Sequence, residues 1–125
     1  MSAASRAEAA ERGRRAEQAV VDHLLRTGYA VIGRNVRVGH LEVDIIARKG
    51  SVVCVVEVRH RSPNSWQTPF ESIGEVKQRR LRRAADRLWR ERYARDSSVD
   101  RIRFDIAAVA FVDGQSVIDY VEGGM

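Results

Sequence analysis

The chain has 125 residues, a length that suits one domain. It is 44% hydrophobic and 31% charged, which excludes a disordered tail, and its formal net charge of +5 favours a polyanionic partner without dictating a fold. A single cysteine excludes an intrachain disulfide framework and a multi-cysteine zinc knuckle. No apolar run approaches the ~20 residues of a membrane span. The charged start, Met1 to Glu8, lacks the apolar stretch of a secretory signal. The expectation is a cytoplasmic protein with no membrane partner.

Residues 1–11, rich in Ala, Glu and Arg, read as an extension that either frays or lengthens the first helix; residues 12–125 read as a single domain. From Arg12 to Thr27 the residues Ala16, Ala19, Val20, His23 and Leu24 recur at helical spacing, and Gly28 stands where a left-handed residue ends a helix. Tyr29 to Val38, Leu41 to Arg48 and Val52 to His60 read as three strands, the last apolar on both faces over its first half and therefore central. Arg61 to Ser72, with two prolines, reads as a loop. Glu75 to about Arg95 is a helix whose apolar stripe is Leu81, Ala84, Ala85, Leu88, Trp89 and Tyr93. Ile102 to Val112 is a fourth strand, Asp113-Gly114 a turn, and Ser116 to Val121 a short fifth strand. The order αβββαβ plus one β predicts an α/β fold with a mixed sheet flanked by helices.

Three acids fall on the hairpin of strands two and three. Alternation puts Glu42, Asp44 and Ile46 on one face of strand two, and Glu57 with Arg59 on one face of strand three. Register decides whether they meet. Pairing Arg48 with Ser51 sets Glu42 opposite Glu57; pairing Arg48 with Val53 sets Asp44 opposite Glu57. Pairing Arg48 with Val52 puts the acids on opposite faces. The first two keep the apolar residues of both strands on consistent faces and are the expected ones. Like charges opposed in a sheet are destabilising unless a cation, a shared proton or nearby arginines compensate. Oxygen donors suit Mg²⁺ or Mn²⁺. The bland alternative is that Arg59 and Arg61 neutralise Glu57 and Glu42 at a solvated edge.

Glu42-Val43-Asp44-Ile45-Ile46-Ala47, Glu57-Val58-Arg59-His60-Arg61, Lys77 with Arg80-Leu81, and Arg103-Phe104-Asp105 together resemble the YraN family of uncharacterised bacterial proteins, from about Gly13 to near the C-terminus. That family resembles the restriction-endonuclease-like superfamily with its PD-(D/E)-x-K site, and is similar to archaeal Holliday-junction resolvases. The resemblance implies a restriction-endonuclease-like αβββαβ core and metal-dependent hydrolysis of phosphodiester bonds in DNA, structured or branched DNA included. It implies Asp44, Glu57 and the Val58 carbonyl as metal ligands, Glu17 as a catalytic acid from the first helix and Glu42 as a supporting carboxylate. By the same analogy a homodimer is expected. The chain departs from the pattern in three places. Leu41 precedes Glu42 and Ala16 precedes Glu17 where the family usually has Gly, and Arg59 stands where the motif has its catalytic lysine. Arginine stays charged and cannot act as a base, though it can hold a phosphate oxygen. Lys77 is placed to replace it from the neighbouring helix. The alternative function is a nucleic-acid-binding module that kept the fold and lost turnover.

Only Lys49 and Lys77 are lysines, so most of the basic charge is arginine, whose planar fork grips two phosphate oxygens. Between Lys77 and Arg95 the only acids are Asp86 and Glu91, an imbalance too large for i,i+4 pairing to absorb. Arg61, Lys77, Arg79, Arg80, Arg83 and Arg87 are therefore expected to contact a nucleic-acid backbone. Trp66 and Phe70 are expected to anchor the loop, with base stacking as their functional alternative. Cys54 is expected to be a buried, inert thiol and His23 a core residue.

Overall fold

The structure, a computed structural model, describes residues 2–64 and 67–123; the expectation for Trp66 lies outside them. Helix α1 spans Ala3–Arg26. Ser2 caps it by accepting a hydrogen bond from the Ser5 N–H, and Gly28 at φ +91° turns the chain out of it. Residues 3–11 thus lengthen the helix. The apolar period does not reach them because nearly all of them are exposed.

The strands are β1 Ala30–Val38, β2 Leu41–Lys49, β3 Val52–His60, β4 Arg101–Val112 and β5 Gln115–Val121. Helix α2, Glu75–Leu88, runs on into a π-helical turn, Trp89–Tyr93, closed by the Ala94 N–H on the Trp89 carbonyl at 2.8 Å. The five strands form one sheet in sequence order; β3 and β4 are parallel and the other neighbours antiparallel. A mixed sheet with a helix on each face is the αβββαβ architecture expected, with β5 added at the edge. Asp113 and Gly114 both have positive φ, 51° and 78°, the turn geometry whose twist matches that of a hairpin.

The sheet is covered on both faces. Val20, Val21 and Leu24 of α1 pack on Ile45, Ala47, Cys54 and Val56. Ala84, Ala85 and Leu88 of α2 pack on Val43, Ile46, Val53 and Val55. These two lists contain an irregularity. Val43 and Ile45 are two residues apart on one strand yet lie on opposite faces, so alternation breaks at Asp44. Across the sheet, Asn35 of β1 has φ +51°, and no Asn35–Asp44 pair joins the ladder between Arg34↔Ile45 and Val36↔Val43. Both strands flip faces at the same level. The expectation that Glu42, Asp44 and Ile46 share one face is corrected here: strict alternation assumes an uninterrupted ladder, and left-handed Asn35 interrupts it.

Asp105, fully buried, accepts two hydrogen bonds from Arg103 at 2.8 and 2.9 Å, one from the Tyr120 hydroxyl at 2.6 Å and one from the Gly123 N–H at 3.1 Å. Arg103 also donates to the Tyr29 hydroxyl. This network ties β4 to β5 and to the start of β1. Breaking one partner of a buried ion pair strands the other. Arg103→Met is therefore expected to cost about 3–5 kcal/mol in urea unfolding, and Arg103→Met with Asp105→Leu much less than that.

Candidate active site

The β2–β3 ladder runs from Lys49↔Val52 to Ile45↔Val56 and stops there, although both strands continue. Gly50, at φ +60°, makes the turn, and Arg48 pairs with Val53, the register that sets Asp44 level with Glu57. Beyond Ile45 the strands fork. A forked strand leaves backbone donors unpaired, and an unpaired buried N–H is costly. Asp44 fills the gap: its Oδ2 accepts from the Val58 N–H at 2.8 Å. The N–H and C=O of one strand residue point to the same edge, so the Val58 carbonyl faces the fork as well.

Glu57 shares its face with Val53 and Val55 and so looks toward α2. It is 4% exposed, and Lys77 of α2 reaches it with Nζ 2.8 Å from Oε1. Glu17 of α1 approaches from the other side of the sheet. Arg34 Nε at 3.1 Å and Asn35 Nδ2 at 3.3 Å both donate to its Oε1. Glu17, Asp44, Val58 and His60 line a cleft of about 190 Å³ together with Gly13 and Ala16. Asp44 lies within the electrostatic reach of both other acids, Glu57 from β3 and Glu17 from α1.

The cost of this convergence falls on Asp44. Burial, then the charge of Glu57, push its carboxyl up to about 7 from an ordinary 3.8; the hydrogen bond from Val58 pulls the other way, and a hydrogen bond with Glu57 and the charge of Glu17 add to the rise. The carboxyl therefore holds its proton to a higher pH than an ordinary aspartate does. Two carboxylates and a carbonyl oxygen are hard donors, and mutual repulsion of this kind is what a cation relieves. Among the described residues, no three His, Cys, Asp or Glu side chains are grouped to hold a metal ion. An ion here would rest on Asp44, Glu57 and the Val58 carbonyl, with water completing its shell, a composition that Mg²⁺ favours.

The remaining expected residues are distributed as follows. Glu42 is exposed, level with Arg37 on β1, and the charges that act most on Asp44 are those of Glu57 and Glu17. Arg59 donates to the Ser72 carbonyl at 2.9 Å, while its Nε is buried without a partner. Arg61 donates to the Gln67 carbonyl and pairs with Asp119 at 3.5 Å. Neither arginine pairs with Glu57 or Glu42 among the described residues, so the solvated-edge alternative is not the arrangement found; Lys77 neutralises Glu57 instead. On α2, Arg87 pairs with Glu91 and Arg90 with Asp86. Arg79, Arg80, Arg82 and Arg83 are exposed, with no acidic partner among the described residues. Arg80, Arg83 and Arg87 face the β1–β2 turn, whereas Arg79 and Arg82 line a separate hollow. Phe70 packs edge-on against Phe104 with ring centres 5.8 Å apart, which anchors the loop. His23 stacks on Tyr120, and His60 on Phe111. Cys54 is buried, and burial pushes its thiol up to about 12.

Sequence reasoning missed Arg34 and Asn35. The available signal was Asn in mid-strand, a residue type that tolerates left-handed backbone and is depleted from strands.

Comparison with known proteins places this geometry in a family. The model of the family described as Uncharacterised protein family UPF0102 matches residues 16–109, which include Glu17, Asp44, Glu57 and Lys77. A UPF0102 protein of Sorangium cellulosum is 43% identical over 111 residues, covering 88% of this chain and 77% of its own. One of Myxococcus xanthus is 35% identical over 123 residues, covering 98% and 95%. One of Anaeromyxobacter is 40% identical over 101 residues, covering 80% and 73%.

The raised Asp44 has a measurable consequence. Below about pH 4 folded and unfolded chains both carry its proton. Between about 4 and 7 the unfolded carboxyl ionises while the folded one keeps its proton, so stability falls as pH rises, and levels off above 7. Asp44→Asn escapes this loss. Its stability advantage in urea unfolding is expected to open across that window and reach at most about 4 kcal/mol at pH 8, at ~1.36 kcal/mol per unit.

Proposed function

The chain belongs to the uncharacterised protein family UPF0102, and from the forked carboxylate site with Lys77 beside it we propose that it is a metal-dependent nuclease that hydrolyses phosphodiester bonds in DNA. The observation that carries the reading is the meeting of Asp44 and Glu57 at one strand fork with the Lys77 ammonium 2.8 Å from Glu57. Like-charged acids drawn together away from solvent are unfavourable in a fold that needs nothing from them, and α2 brings the Lys77 ammonium to this pair.

In this reading Asp44, Glu57 and the Val58 carbonyl hold Mg²⁺ or Mn²⁺. When bound, the ion neutralises charge on the scissile phosphate and lowers the pKa of a water. The chain's own residues do the rest. Lys77 supplies, from α2, the cation that the E-x-K motif places two residues after its glutamate, beside the same carboxylate. Arg59 keeps its charge and holds the loop through Ser72. Glu17, oriented by Arg34 and Asn35, bounds the cleft on the α1 side and is placed to accept a proton from a water there. The arginines of α2 bind successive backbone phosphates and give affinity that depends on salt more than on sequence.

A second reading has its own observation. Arg59 occupies the lysine position and cannot take a proton, which favours a nucleic-acid-binding module without turnover. The two separate in one assay on single-stranded, duplex and four-way-junction DNA with and without Mn²⁺. The nuclease reading expects metal-dependent cleavage that disappears in Asp44→Ala and Glu57→Ala and falls about 10²–10³-fold in Lys77→Met, the usual cost of one missing charge-stabilising donor. Salt-sensitive binding with no cleavage under any condition would favour the binding module. Mn²⁺ is also expected to raise the melting temperature of the wild type and not of Asp44→Ala.

A further inference from the structure

A second, larger cleft of about 510 Å³ lies between the β1–β2 turn and α2. Its volume falls in the range of small-molecule sites. Val38, Leu41 and Ala84 give it an apolar floor, and Arg80, Arg83 and Arg87 give it a cationic rim. Spaced i, i+3 and i+7, these arginines stand on one side of the helix, and Lys77 continues the row toward the carboxylates. Gly39 shapes the far end. Its φ is +63°, and a β-carbon there would lie 2.7 Å from a terminal nitrogen of Arg87, so glycine lets that guanidinium rest against the turn. His40 lines the same wall. Arg87 shares its charge with Glu91, but Arg80 and Arg83 have no acidic partner among the described residues.

An apolar floor under an arginine rim suits a ligand that is flat and apolar on one side and anionic on the other. We propose that this cleft is a subsite for one unpaired nucleotide of a nucleic-acid strand, its base on Val38, Leu41 and Ala84 and its phosphate on Arg80 and Arg83. The inference rests on the nucleic-acid reading above and adds a substrate class to it. A base held in a duplex keeps its faces against its neighbours and cannot lie on the floor. From Lys77 to Arg83 the helix rises about 9 Å, at 1.5 Å per residue. That span is short enough for the phosphate on Arg80 and Arg83 to lie within a few nucleotides of Lys77. The substrate is therefore a strand unpaired close to the bond at Lys77, as at a flap, a gap or a branch.

The test is fluorescence anisotropy in EDTA, where no cleavage occurs. The probes are a thymidine decamer, the same decamer with abasic sugars throughout, and a blunt duplex. The thymidine decamer is expected to bind about tenfold tighter than the abasic one at equal charge. Arg80→Ala and Arg83→Ala are each expected to weaken the thymidine decamer and to reduce the slope of log K against log salt by ~0.7, one single-strand phosphate contact. Arg92→Ala, outside the cleft, serves as the comparison. Equal binding of the thymidine and abasic decamers, tighter binding of the blunt duplex, or equal effects of Arg83→Ala and Arg92→Ala would each overturn the subsite. Metal-dependent cleavage by a protein that fails these tests leaves the nuclease standing without the subsite. Base-dependent binding by a protein that never cleaves leaves the subsite standing without the nuclease.

Discussion

The hydrogen bond from the Val58 amide to the Asp44 carboxylate is the contact on which the site depends. It forms because β2 and β3 part company after Ile45 and Val56 and leave a strand amide to be satisfied. A side chain takes that amide, and in doing so is drawn between the two faces of the sheet. From there it meets Glu57 on the α2 side and Glu17 on the α1 side, which no residue committed to one face could do. The fork thus converts a structural need, a partner for one N–H, into a meeting point for charge.

Holding that arrangement requires concessions elsewhere. Asn35 adopts a left-handed backbone opposite the fork, and its amide, with Arg34, fixes the helix glutamate. Lys77 offsets Glu57 across the sheet–helix interface. Among the described residues no cation pairs with Asp44, whose burial and neighbouring acids raise its carboxyl above the ordinary range. The neighbouring Arg103–Asp105 pair shows the contrast. Its acid is more deeply buried, yet it is met by four hydrogen bonds and serves to hold β5 and the C-terminal segment in place. The buried acid is fully partnered and structural; the half-buried one in the cleft has no cationic partner among the described residues.

The arginine excess also resolves into separate jobs. Arg59 and Arg61 hold the loop after β3. Arg34 and Arg103 orient acids. Arg87 and Arg90 are partly occupied by acids one turn along their own helix. Among the described residues, Arg79, Arg80, Arg82 and Arg83 have no acidic partner, two on each of two sides of the helix whose start carries Lys77.

The sequence alone determined the elements and their order. Periodicity, the glycine stops and the Asp-Gly turn mark five strands and two helices, because those signals are local and each element obeys its own repeat. It also singled out Asp44, Glu57 and Lys77, because acids opposed on a hairpin are an unusual pattern. What tertiary structure decided was how they meet. The register of the Lys49–Val52 hairpin was one of three open options, and only the pairing across the sheet selects it. The face of Asp44 was misread because alternation presumes an unbroken ladder, and the break comes from Asn35 on another strand. Arg59 was assigned by motif spacing to the site, but a carbonyl thirteen residues away, Ser72, claims its guanidinium. Local repeats are written along the chain; which side chains share a space depends on segments that only folding brings side by side.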